Sequence, residues 1–189
     1  MTLILASASP RRAELLRQAG TPFKIIIPDI AEDKFNSLPP YEMVIQLSFE
    51  KALAVSEHLE EGIVIAADTV VLHRGVAIGK PVDQKEALQT LRLLSGDQHL
   101  VLTGLTVLDA ATGKYEKRTS TTKVWMASLT ETELDAYVAT GEPLDKAGAY
   151  GIQGKAALFV EKIDGCYFNV VGLPLNLLYN MLKKMYVTI

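Results

Sequence analysis

The sequence predicts an α/β fold: a mixed, twisted β-sheet with flanking helices. Three observations predict it. Apolar strand-like runs alternate with helix-like segments through the first half of the 189-residue chain. Hairpin signals crowd the second half, which calls for antiparallel pairs beside parallel ones. The composition, 49% apolar and 22% charged, is that of an ordinary globular protein and not of a disordered one.

The elements follow in order. Leu3-Ile-Leu-Ala6 reads as a short buried strand. Ser9 and Pro10 start a helix, as N-cap and first helical residue. Leu15, Leu16 and Ala19 form its apolar stripe, and Gly20 suits the position just past its end. Phe23 to Ile27 is a second strand, stopped by Pro28, and Asp29 to Pro40 is a polar loop. Tyr41 to Leu59 is a helix, with Val44, Leu47, Leu53 and Ala54 at helical spacing. Ile63 to Ala67 is a buried strand ending at Asp68. Val70 to Leu72 and Val76 to Ile78 flank the turn His73-Arg74-Gly75.

Asp83 with Glu86 resembles a capping box for a helix running to Leu94 and ended by Ser95-Gly96. Two long strands come next, Leu100 to Asp109 and Lys114 to Met126, with Thr112-Gly113 in their turn. Thr130 and Glu133 form another capping box, for a helix ending before Gly141. Glu142 to Gly154 is a glycine-rich loop. Ala156 to Ile163 and Cys166 to Val171 read as strands joined by Asp164-Gly165. Pro174 to Met185 is a closing amphipathic helix. No internal repeat or low-complexity linker interrupts the chain, so residues 1–189 are expected to form one domain.

Composition removes several function classes. Nineteen basic residues against twenty-two acidic ones leave a net charge of −3, which argues against a nucleic-acid coat or an anionic-membrane binder. No run approaches the roughly 18 apolar residues of a membrane span. The N-terminal segment lacks the basic region and the apolar length of a secretory signal, so a cytoplasmic location is expected. Cys166 is alone, which excludes an intrachain disulfide and a thiolate metal cluster. His58, His73 and His99 form no HxH or HxxxH pair and are expected at the surface or in turns.

Four segments could carry chemistry. In Ser7-Ala-Ser-Pro-Arg-Arg12 a strand feeds a helix start. Unpaired backbone N–H groups, two hydroxyls and two guanidinium groups can cradle a phosphate there, or the segment is a plain Ser-Pro cap with solvated arginines. Asp68 stands at the expected carboxyl end of an apolar strand, where α/β sheets place ligands, so it can hold a divalent cation, orient a water, or only make a turn. Gly79-Lys80-Pro81 is not a P-loop: Gly75 is one residue too close and Pro81 replaces the hydroxyl residue, although Lys80 can still meet a phosphate as a point charge. Gly148-Ala-Tyr-Gly-Ile-Gln-Gly154 suits a tight ligand-facing loop, or simple turn chemistry. No GxGxxG, GxSxG or HExxH is present.

Taken in order, Ser7-x-Ser-Pro-Arg-Arg-x-Glu-Leu-Leu16, Ala67-Asp-Thr69, Gly79-Lys-Pro81, Asp145-Lys-Ala-Gly-Ala-Tyr-Gly-Ile-Gln-Gly154 and Val171-Gly-Leu-Pro174 resemble the Maf family of nucleoside triphosphate pyrophosphatases, over nearly the whole chain. The resemblance implies a mixed α/β fold in two lobes around a nucleotide cleft, similar to the inosine triphosphate pyrophosphatases. It implies hydrolysis of a nucleoside triphosphate to monophosphate and pyrophosphate with a divalent cation, Mg²⁺ or Mn²⁺. It makes Asp68 the catalytic carboxylate and a metal ligand, with Glu32 as a second acidic ligand. Many relatives carry another acid just before that position, where this chain has Ala31. Ser7, Arg12, Lys51 and Lys80 match positions lining the phosphates.

Arg11, Thr69 and Gln153 match the branch acting on dTTP and UTP; the branch acting on 7-methyl-GTP tends to carry Trp, Gln and Glu there. The implied partner is the nucleotide substrate, with no nucleic acid and no membrane, and a homodimer is one of the oligomeric states left open. Two other readings stay in view. One is a nucleotide-binding regulator of septum formation with little turnover. The other is a purine-directed enzyme of the inosine triphosphate type, which Arg11, Thr69 and Gln153 disfavour.

Overall fold

In the computed structural model, which describes residues 2–185 and 187, the chain divides into two compact units. Unit 1 holds Met1–Asp68, Thr103–Ser120 and Gly172–Ile189; unit 2 holds Thr69–Leu102 and Thr121–Val171. Among the described residues the strands are β1 (Leu3–Ala6), β2 (Phe23–Ile26), β3 (Ile63–His73), β4 (Val76–Ile78), β5 (Gln98–Asp109), β6 (Tyr115–Met126) and β7 (Val160–Asp164). The helices are α1 (Pro10–Gln18), α2 (Pro40–Ser56), α3 (Gln84–Leu94), α4 (Glu131–Val138), α5 (Tyr167–Val171) and α6 (Leu175–Lys184). The sheet runs β2-β1-β3-β5-β6-β7, with β4 also on β3. β1 pairs in parallel with β2 and β3, while β3–β4 and β6–β7 are antiparallel. The predicted mixed α/β sheet is therefore present. No helix among the described residues is long and apolar enough to cross a membrane.

In unit 1, Ser9 caps α1 by accepting from the Arg12 backbone N–H, and Pro10 opens the helix as predicted. Ile4, Ala6, Ala52, Val55, Val64, Ala66 and Leu108 pack into one apolar cluster. α2 lies against Gly104 of β5 so closely that a Cβ on Gly104 would land on the Val44 carbonyl and the Ile45 nitrogen. A buried hydroxyl pair, Ser48 Oγ with Thr106 Oγ1 at 2.8 Å, joins the same helix to the same strand.

In unit 2, Arg74 and Gly75 both have positive φ, 49° and 82°, which is the two-residue turn that suits the twist of β3 and β4. Asp83 caps α3 by accepting from Glu86 N–H at 2.8 Å, but the Glu86 carboxylate reaches back to Val82 N–H, one residue earlier than a capping box has it. Thr130 and Glu133 form the full box at α4. Leu91, Leu94, Val124, Met126, Leu134 and Tyr137 belong to this unit's own core.

Several sequence expectations are corrected. Asp68 does not end a strand: β3 continues through it to His73, because Thr69, Val70 and Val71 favour extended backbone as strongly as the residues before them. Cys166 to Val171 is not a strand. Past Gly165, at φ 129°, the chain turns into α5, where buried Asn169 donates to the Val101 carbonyl and to Thr122 Oγ1. Ala156 to Phe159 is 3₁₀ and only Val160–Asp164 pairs with β6. The Asp29–Pro40 loop contains a 3₁₀ turn, Glu32–Phe35. His73 and His99 are buried. His73 Nε2 meets Asp97 at 3.0 Å, and His99 Nε2 meets the Tyr150 hydroxyl at 2.7 Å. Burial, helped by neighbouring His73 and opposed by Asp97, pushes the His99 pKa down to about 4, so the ring is a neutral core group.

Candidate active site

Unit 1 brings five of the singled-out side chains together. β1 delivers Ser7 to the start of α1, where the residue is 5% exposed and its Oγ accepts from Ser9 N–H at 3.1 Å. Arg12, one turn into α1, reaches back over the same cap. Its Nη1 donates to Ser7 Oγ at 3.3 Å and its Nε to the Gly172 carbonyl at 2.8 Å. The guanidinium is thereby aimed by two fixed acceptors. Burial pushes the Arg12 pKa down from its ordinary value; Asp68 pulls it up, Arg11 lowers it, and Glu32 raises it. The last three effects place Arg12 and Arg11 in one electrostatic neighbourhood with both carboxylates.

Lys51 is the centre of the set. It projects from the buried face of α2, is 7% exposed, and its ammonium stands 2.6 Å from Asp68 Oδ1 and 2.7 Å from Glu32 Oε1. The helix that carries it is seated on the sheet by Gly104 and by the Ser48–Thr106 bond. Glu32 opens the 3₁₀ turn and is exposed, while the Asp68 side chain keeps only 14% of its surface. One cation between two carboxylates is a poised arrangement. A phosphate oxygen can compete for the ammonium, and the carboxylates are then free to bind or accept a proton.

The donor set can be tested against a divalent ion. Two carboxylates converging on one point supply hard oxygen ligands, and Mg²⁺ commonly takes one or two carboxylates with phosphate oxygens and water. Asp68 and Glu32 therefore fit such an ion. Among the described residues no group of three or more His, Cys, Asp and Glu gathers, so no all-protein cage accompanies them.

Arg11, on α1, also belongs to unit 1, and unit 2 carries Thr69, Lys80 and Gln153. Thr69 follows Asp68 along β3 and is half-buried. Lys80 is exposed between β4 and α3, ahead of buried Pro81. Gln153 is exposed in the glycine-rich loop. A backbone bond, Gly148 N–H to the Gly79 carbonyl at 3.0 Å, ties the Lys80 segment to that loop. Gly148 needs to be glycine twice over: its φ is 71°, and a Cβ would strike the Val71 side chain. The glycine spacing of this loop suits a ligand-facing loop or simple turn chemistry. Cβ atoms on Gly151 and Gly154 would meet the Lys146 stem and the Glu142 carboxylate, so those two glycines clear space for the loop's own charged side chains.

Sequence reasoning missed Gly104, Ser48, Thr106 and Glu142, and it quoted Gly172 without a role. A lone glycine inside an apolar strand is a signal for close backbone approach, and Gly104 had it. Ser48 and Thr106 carry no comparable signal.

Fold and site together are those of an α/β protein with a cationic helix start set beside a lysine-bridged carboxylate pair. The chain belongs to the family of Maf-like proteins, whose model matches residues 2–185. It is 49% identical to the dTTP/UTP pyrophosphatase of Carboxydothermus hydrogenoformans over 184 residues, 97% of this chain and 98% of that protein. It is 50% identical to the dTTP/UTP pyrophosphatase of Pelotomaculum thermopropionicum (96% of this chain, 95% of that one) and 50% to that of Methanosarcina barkeri (99% and 95%). Among solved structures, the Ham1 protein of Staphylococcus aureus matches with a TM-score of 0.53 at 13% identity, covering 98% of this chain and all of that one. That likeness is one of fold.

Proposed function

We propose that this protein hydrolyses dTTP and UTP at the α–β phosphoanhydride, releasing the nucleoside monophosphate and pyrophosphate. The observation that carries the proposal is the Lys51 ammonium within 2.7 Å of both carboxylates, next to the Ser7–Arg12 helix start. Support for the substrate comes from relatives about half identical to this chain that bear the name dTTP/UTP pyrophosphatase.

The residues act as follows. The triphosphate is strongly anionic, so cations must offset its charge before a nucleophile can approach. Arg12, Lys51, Lys80 and the start of α1 do this, each contributing ~1 kcal/mol or more where water is partly excluded. Ser7 holds the Arg12 fork in place. Asp68 and Glu32 are the residues that would hold Mg²⁺ or Mn²⁺, whose chemistry is charge neutralisation at phosphate oxygens and polarisation of water. Water attacks the α-phosphorus, the bond to the bridging oxygen breaks, and pyrophosphate leaves. The water's proton passes to Asp68. Moving Lys51 from the carboxylate onto a phosphate oxygen leaves the Asp68 oxygen open to that proton.

Arg11, Thr69 and Gln153 select the pyrimidine base. The Gln153 amide offers both a donor and an acceptor, as a uracil or thymine edge requires. Changing Gln153→Glu leaves only acceptors and is expected to lower kcat/KM for dTTP by roughly tenfold or more, as loss of a polar contact of ~1.5 kcal/mol would. ATP, read by the same phosphate groups, is not expected to suffer that drop. Equal loss on every nucleotide would show that Gln153 does not read the base.

The deciding experiment is product analysis with a nucleotide panel in the presence of Mg²⁺ or Mn²⁺. Pyrophosphate as first product from dTTP and UTP, with little from ATP or GTP, is the expected result. Orthophosphate as first product removes the α–β cleavage. Tight nucleotide binding without turnover would favour a regulator over an enzyme.

A further inference from the structure

Glu142 has no part in the chemistry described above, yet its carboxylate is tied to both flanks of Gln153. Its Oε1 accepts from the Tyr137 hydroxyl at 3.0 Å, and that hydroxyl accepts in turn from Gly151 N–H at 3.3 Å. Its Oε2 accepts from Lys155 N–H at 3.1 Å. Gly151 and Lys155 stand two residues before and two after Gln153. The carboxylate also occupies the space that a side chain on Gly154 would need. Lys146, whose ammonium donates to the Glu142 carbonyl at 2.6 Å, fills the corresponding space beside Gly151. The two glycines nearest Gln153 are thus fitted to this one anchored pair of charged residues.

We infer that Glu142 is the positioning residue of the base-reading loop: with the Tyr137 hydroxyl it holds Gly151 and Lys155, and so sets where Gln153 presents its amide. Specificity for the pyrimidine then depends on a carboxylate that never touches the nucleotide. The inference rests on the proposed role of Gln153 in reading the base. A side chain on a loop gripped at one flank only samples many orientations, whereas one gripped on both sides keeps its donor and acceptor in register.

The test uses the whole protein and the variants Glu142→Ala, Tyr137→Phe, Gly154→Ala, Gln153→Ala and the double variant Glu142→Ala with Gly154→Ala. Amide hydrogen exchange of the 147–157 segment is expected to speed up by about tenfold or more in Glu142→Ala, since backbone donors lose a charged acceptor. The ratio of kcat/KM for dTTP over ATP is expected to fall roughly tenfold, through KM for dTTP, with ATP kinetics held within about twofold. Tyr137→Phe keeps the ring that packs on Phe159 and is expected to shift exchange and ratio in the same direction, which keeps the test decisive should Glu142→Ala not fold. Gly154→Ala is expected to mimic Glu142→Ala, while the double variant is no worse than Glu142→Ala alone, because the space has been vacated.

Unchanged exchange in Glu142→Ala overturns the inference. So does faster exchange with an unchanged dTTP-to-ATP ratio when Gln153→Ala lowers that ratio, or a uniform loss on all nucleotides that follows the drop in Tm. If Gln153→Ala leaves the ratio unchanged, or the wild type turns over neither dTTP nor UTP, it is the functional reading that fails. The exchange result still decides whether Glu142 anchors the loop.

Discussion

Replacing Asp68 with asparagine is expected to lower kcat on dTTP and UTP by ~100-fold or more while nucleotide binding is retained. Asparagine keeps the shape of the side chain and an oxygen at the position of Oδ1, which receives the Lys51 ammonium at 2.6 Å. It loses the negative charge, and with it the capacity to take a proton from the attacking water or to hold a divalent cation. Lys51 keeps Glu32 as counterion at 2.7 Å, so the buried ammonium is not left without an opposite charge and the fold should persist. The cationic groups that receive the phosphates are untouched, so the loss should fall on kcat and not on affinity. Steady-state kinetics, calorimetric titration with nucleotide and a thermal melt separate these quantities. A variant retaining more than about a tenth of the wild-type kcat would remove Asp68 from the role of proton acceptor, since a positioned general base is typically worth at least ~10²-fold.

Gly104→Ala should show the largest loss of stability. The methyl group would meet backbone atoms of α2, the Val44 carbonyl and the Ile45 nitrogen, and not the yielding end of a side chain. The helix must then lift from β5, straining the Ser48–Thr106 bond and the apolar cluster around Ala52 and Val55. Overpacking against rigid neighbours costs about 3 kcal/mol or more, which for a chain of this size is a drop in Tm of roughly 10 °C. Activity should fall further than stability alone explains, because α2 carries Lys51 to its place between Asp68 and Glu32. Differential scanning calorimetry and kinetics at a temperature where both proteins are folded check the two effects. A variant that melts within about 2 °C of wild type would show that α2 is not held by this contact.

What could be read from the sequence and what could not divide along physical lines. Ser9-Pro10 at α1, Thr130 with Glu133 at α4 and Arg74-Gly75 between β3 and β4 were legible, because caps and tight turns are settled by residues a few positions apart. The stretch Cys166 to Val171 was not. Its apolar and aromatic residues fit a strand locally, and α5 is held by distant groups, the Val101 carbonyl and Thr122 Oγ1, bonded to Asn169. The end of the strand at Asp68 was misplaced because a single charged residue reads as a boundary. Within the sheet its carboxylate has a buried lysine to meet. The likeness to a known family named Ser7, Arg12, Glu32, Lys51 and Asp68, but nothing local said that they converge.

By itself, the sequence determined the mixed α/β class, most elements and their caps, and which residue types were available for phosphate chemistry. These depend on periodicity, turn chemistry and composition, all of which act over a few residues. Only the tertiary structure decided that Lys51, 17 residues from Asp68 in the chain, stands between Asp68 and Glu32, that Arg12 is aimed by the Gly172 carbonyl, and that Glu142 fills the space beside Gly154. Those contacts depend on how closely elements pack, which the van der Waals fit of whole faces sets, down to a missing Cβ on Gly104.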